Sequence, residues 1–93
     1  MLDSTHLDPF RTALVEQLTV LRQRAGLSQT ALAAELGTDQ STISRVESGA
    51  RDVDVAEAFA WCEALGLRPS ETAQVFETTW VTYGARPQGF WGT

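Results

Sequence analysis

The chain has 93 residues, of which 43% are hydrophobic and 20% charged, with 7 Gly and 3 Pro. That length supports one compact core with no room for a separate ligand-binding domain, and that composition excludes wholesale disorder. Twelve acids against seven basic residues give a formal charge of −5, which is unusual for a protein that handles nucleic acid.

Helical punctuation runs the whole way along the chain. An acidic arm, 1–8, precedes Asp8-Pro9, which reads as an N-cap followed by Pro at the first helical position. Phe10, Leu14, Leu18, Leu21 and Ala25 then recur at helical spacing until Gly26. Ser28 caps a short second helix carrying Ala31, Leu32, Ala33 and Leu36, which Gly37 stops. Asp39 caps a third from Gln40 to about Ser48, with Ile43 and Val46 inward. Asp54 caps a fourth, with Val55, Phe59, Cys62 and Leu65 as the expected inner stripe up to Gly66. Pro69 and Ser70 open a fifth, expected to carry Ala73, Phe76, Trp80 and Tyr83 on one face. No segment alternates with period two, so the predicted class is all-α with five helices. The segment 84–93, with three Gly, one Pro, Phe90 and Trp91, is an aromatic tail beyond the last helix.

Charge is unevenly spread along this frame. Residues 52–93 hold six acids against Arg68 and Arg86, whereas 21–51 hold Arg22, Arg24, Arg45 and Arg51 against three acids. Every basic side chain is Arg, whose planar fork suits phosphates and guanine edges. No apolar run is long enough to span a bilayer. The residues 1–8 lack a basic signal-peptide region, and the single Cys62 has no disulfide partner, so the expected setting is cytoplasmic and reducing.

Helices two and three are short and joined by a turn around Gly37-Thr38, the geometry of a helix-turn-helix at about 28–48. In that arrangement the second helix enters the DNA major groove. Ala33 is small where the two helices meet, and Gly37 falls where the chain needs a positive φ.

The stretch LRQRAGLSQTALAAELGTDQSTISRVESG, 21–49, resembles the Cro/lambda-repressor-like family of helix-turn-helix regulators, also called the xenobiotic-response-element family. The following RDVDVAEAFAWCEALGL, 51–67, resembles that family's fourth helix. The resemblance implies a DNA-binding core over 9–67, with Gln29 on a phosphate at the start of helix two. It puts Gln40, Ser41, Ser44 and Arg45 at recognition-helix positions, with Thr42 beside them on the DNA backbone. Gln suits adenine's N6/N7 edge and Arg suits guanine's O6/N7 edge. Arg22 and Glu47 match a structural ion pair of some family members. The loop after helix three departs from relatives with several basic residues there, since Arg51 stands among Asp52 and Asp54. A weak phosphate grip by Arg51, and a dependence of binding on dimerisation, are therefore expected.

The fifth helix, 68–83, carries more apolar surface than one stripe needs, and in this family the last helix commonly supplies a two-fold interface. Phe76, Trp80, Tyr83, Phe90 and Trp91 are the candidates for that homodimer contact. The expected function is a sequence-specific repressor that reads a palindromic operator on double-stranded DNA. Two other readings stay open. One is an antitoxin-like or adaptor protein whose acidic flanks and 86–91 tail bind a basic partner; the other is a helix-turn-helix that has lost DNA binding. Cys62 reads as a small core residue and His6 as inert. No nucleophile–base set, phosphate-cradling loop or metal-ligand spacing is present, so neither enzyme, cofactor nor metal site is expected.

Overall fold

A computed structural model describes residues 8–84. Five helices make up these residues, with no strand among them: α1 (Asp8–Arg24), α2 (Gln29–Leu36), α3 (Gln40–Glu47), α4 (Val55–Ala64) and α5 (Pro69–Tyr83). The chain is all-α, with the helix-turn-helix formed by α2 and α3. The arm 1–7 and tail 85–93, including Phe90 and Trp91, lie outside the described residues.

Local chemistry sets most of the helix ends. The Ser28 hydroxyl accepts from the Ala31 N–H at 3.0 Å, and Asp39 Oδ1 accepts from the Thr42 N–H at 2.8 Å. Each satisfies one N–H that a helix start leaves without a partner. At α4 the capping is reciprocal. Asp54 Oδ1 accepts from the Glu57 N–H at 2.7 Å, while Glu57 Oε1 accepts from the Asp54 N–H at 3.0 Å. Between α2 and α3, Gly37 has φ +69°, and the Thr38 N–H donates back to the Ala33 carbonyl at 2.9 Å. That closure satisfies a carbonyl at the end of α2 and turns the chain into α3 within three residues.

The core lies where α1, α2, α3 and α4 converge on Leu14, Leu18, Leu32, Ala33, Ile43, Val46, Trp61 and Cys62. Trp61 is the largest of the fully buried side chains, and its indole N–H donates to the Leu18 carbonyl at 3.1 Å. This bond ties α4 to the middle of α1 and gives the buried indole the polar partner it needs. α5 packs across α1 and α4 and closes the remaining side.

Two expected packing faces, on α1 and α4, need correction. Ala25, placed at the end of the α1 stripe, is exposed. On α4, Val55 is 64% exposed, and the buried face runs through Ala58, Trp61 and Cys62 instead. Val55 is the first residue of α4, one turn before the first buried position, Ala58. On α5 the buried positions are Thr72 and Thr79, with Val75 and Phe76 partly buried, whereas Ala73, Trp80 and Tyr83 are exposed. Thr79 is admitted because its hydroxyl donates to the Val75 carbonyl at 2.7 Å, so its only polar atom is spent on its own helix. Phe76 stacks on Phe59 with ring centroids 5.8 Å apart, and Trp80 meets Phe10 edge-on at 5.1 Å.

Candidate nucleic-acid interface

The sharpest organisation on the α2–α3 face starts underneath it. Arg22, on α1, reaches Glu47 at the end of α3 with two parallel bonds, Nε to Oε2 at 2.6 Å and Nη2 to Oε1 at 3.0 Å. Its third nitrogen, Nη1, donates to the Leu27 carbonyl at 2.7 Å. Side-chain exposures of 11% and 8% make this a buried ion pair, sustained by bidentate geometry and an added carbonyl acceptor.

From Glu47 the network continues outward. Gln29, the first residue of α2, donates its amide to Glu47 Oε1 at 2.8 Å, and Gln40, the first residue of α3, donates to Gln29 Oε1 at 2.8 Å. The order of these bonds follows from the chemistry of the groups. A carboxylate only accepts, so Gln29 must turn its NH2 toward Glu47 and its oxygen toward Gln40. Gln40 then spends one N–H on Gln29 and keeps its own oxygen and second N–H for other partners. The first residues of both helices are thereby fixed to the ion pair beneath them.

Gln40, Ser41 and Arg45 are exposed along α3, while Thr42 and Ser44 are half-buried. Arg45 Nη2 lies 3.4 Å from the Thr42 hydroxyl, a long contact that leaves the guanidinium largely uncommitted. The Thr42 backbone N–H, then its hydroxyl, donate to Asp39 and hold that carboxyl below the usual carboxylate range. Thr42 is thus already engaged by the α3 cap.

Arg51 is also engaged. Its Nη2 donates to Glu57 Oε2 at 2.8 Å, its Nη1 to Glu57 Oε1 at 3.3 Å and to the Asp52 carbonyl at 3.1 Å. The pairing with Arg51, then the Asp54 N–H, hold the Glu57 carboxyl below its ordinary range. The side-chain partner is therefore Glu57, a pairing that the sequence reading did not anticipate. Only Asp54 was read as a cap from the sequence; that Glu57 closes a capping box with it and also reaches back to Arg51 was missed. The bond from Gln29 to Glu47 was likewise missed.

Among the candidates on α5, Trp80 is 43% and Tyr83 51% exposed, with Val81 beside them at 79%. Phe76 is half-buried and partly used by its stacking on Phe59. Cys62 is fully buried, and burial pushes its thiol pKa up, away from reactivity. Among the described residues no group of three or more His, Cys, Asp or Glu side chains comes together, and no helix is long and apolar enough to cross a membrane.

Two short helices joined by a tight turn, the second with a polar exposed face held from below, define a helix-turn-helix protein, and residues 20–71 match the model of a helix-turn-helix family. A solved structure of an XRE-family like protein from Pseudomonas syringae pv. tomato str. DC3000 is 33% identical. It aligns with a TM-score of 0.72 over 81% of this chain and 92% of that one. No curated protein matches the chain. The chain belongs to the Cro/lambda-repressor-like, or xenobiotic-response-element, family of helix-turn-helix DNA-binding regulators.

Proposed function

We propose that this protein is a sequence-specific transcriptional repressor that binds a palindromic operator as a homodimer, with α3 of each protomer in the major groove. The observation that carries the reading is the relay from the Arg22–Glu47 pair through Gln29 to Gln40. It holds a polar amide at the leading end of α3 with one acceptor and one donor unspent. That pair of groups complements the N6/N7 edge of adenine, and Arg45 complements the O6/N7 edge of guanine, each contact giving about 1–3 kcal/mol of discrimination. Ser41 and Ser44 contribute further contacts along the same helix. Gln29, with one amide N–H left over at the start of α2, meets a phosphate, where free backbone N–H groups also favour an anion. Thr42 and Arg51 contact the DNA backbone only by giving up partners they now hold.

Net charge of −5 limits phosphate contacts, so each protomer binds weakly alone and avidity comes from pairing. The exposed Trp80 and Tyr83 of α5 supply the two-fold contact, with the half-buried Phe76 on the same helix. Half-sites about 34–36 Å apart then face two recognition helices on one side of the duplex. Selection from a random duplex library at low salt tests this reading. Enrichment of a two-fold symmetric motif supports it; a folded protein that enriches no sequence contradicts it.

A further inference from the structure

The Arg51–Glu57 pair joins the loop after α3 to the first turn of α4. The Arg51 N–H donates to the Arg45 carbonyl at 3.0 Å, so its backbone is fastened to the end of α3. Its side chain shares a shallow cavity of about 160 Å³ with Thr38, Thr42 and Glu57. Arg45 and Arg51 are the cations contributed by the segment 29–51. Among the described residues Arg45 forms no ion pair, whereas Arg51 is held by both oxygens of Glu57. Glu57 is itself fixed, because Oε1 also accepts the Asp54 N–H at 3.0 Å.

We propose that Glu57 competes with DNA phosphate for Arg51 and thereby sets how tightly, and with what salt dependence, this chain holds DNA. The inference rests on the DNA-binding reading above. The pair is exchangeable in the way the proposal requires. Its side chains are 39% and 41% exposed, and an ion pair so open to water is weak and screened by salt. The two non-bridging oxygens of a DNA phosphate can take paired guanidinium N–H groups as the two carboxylate oxygens do. Glu57 therefore withholds one of the two cations of the segment 29–51 until DNA displaces it.

The test compares binding of the full chain to its selected duplex across a salt series. Glu57→Gln removes the charge but keeps an oxygen to accept the Asp54 N–H, so α4 stays capped. It is expected to tighten binding about three- to fivefold at about 50 mM salt and to steepen the log–log salt slope by about 0.9. Glu63→Gln makes the same charge change at an exposed position elsewhere on α4 and is expected to leave the slope unaltered. Adding Arg51→Ala to Glu57→Gln should cancel the gain. Should Glu57→Gln melt below the assay temperature, Glu57→Asp, with a shorter reach toward Arg51, should give a smaller gain of the same sign. Weaker or unchanged binding by a folded Glu57→Gln protein overturns the proposal alone, as does a gain that survives Arg51→Ala or appears equally in Glu63→Gln. Failure of the wild-type chain to bind any duplex at any salt overturns the DNA-binding reading and this inference with it.

Discussion

Arg22 and Glu47, 25 residues apart, share two parallel hydrogen bonds beneath the helix-turn-helix and are nearly sealed from solvent. The pair joins α1 to the end of α3 and presents the remaining capacity of Glu47 to Gln29. Stability and orientation of the reading face thus depend on the same carboxylate.

Removing one member of this pair leaves the other charge buried without its partner. Glu47→Ala is expected to lower unfolding free energy by about 3–5 kcal/mol, whereas Arg22→Met with Glu47→Leu costs far less. Urea unfolding of the two variants decides it, and equal losses would contradict the account.

The indole bond across α1 and α4 has its own signature. Trp61→Phe loses the donor to the Leu18 carbonyl and opens space in a fully buried site, at an expected cost of about 2–3 kcal/mol. Thermal unfolding with an unchanged far-ultraviolet helix signal is the check.

Helix capping and the Gly turns were legible because they are local. Ser28, Asp39, Asp54 and Gly37 each announce a helix end within four residues of the bond they make. The four-helix core was legible for a related reason, since Leu14, Leu18, Leu32, Ile43 and Val46 are apolar and regularly spaced. Errors arose where polarity misleads. Trp61 has a polar nitrogen and Thr72 and Thr79 have hydroxyls, yet all three go inside because a backbone carbonyl takes each hydrogen. Trp80 is apolar and stays 43% exposed although its ring meets Phe10 of α1. On the candidate interface, the identity of the exposed α3 residues came from spacing and resemblance. Pairings of Gln29 with Glu47 and of Arg51 with Glu57 depend on how separate elements meet, which no spacing along the chain encodes.

Gly37 adopts its left-handed conformation in open surroundings, with no atom near the position of an added Cβ. Gly37→Ala should therefore cost only the backbone penalty, about 1 kcal/mol, without loss of the fold. A cost above about 3 kcal/mol in denaturant titration would show that the turn has tighter surroundings than described.

Acid should act on the helix starts. Asp39, Glu57 and Glu71 all have folded-state pKa values below their ordinary ones: Asp39 through the Thr42 N–H and hydroxyl, Glu57 through the Arg51 side chain and then the Asp54 N–H, and Glu71 through the Arg68 N–H. Stability from such groups is fully present above the ordinary carboxylate pKa, about 4, and is lost as pH falls through the lower folded values. The melting temperature should therefore hold steady from neutral pH to about 5 and drop below about 4. Asp39→Asn, which keeps a capping oxygen without the titrating charge, should reduce that drop.

The central claim is that Gln40, held by Gln29, reads a base. Affinities of wild-type and Gln40→Ala protein for the selected duplex, and for versions altered one base pair at a time, test it most directly. Gln40→Ala is expected to weaken binding to the selected site and to lose about 1–3 kcal/mol of discrimination at one position per half-site, keeping the rest. An unchanged discrimination profile in a folded Gln40→Ala protein would contradict it.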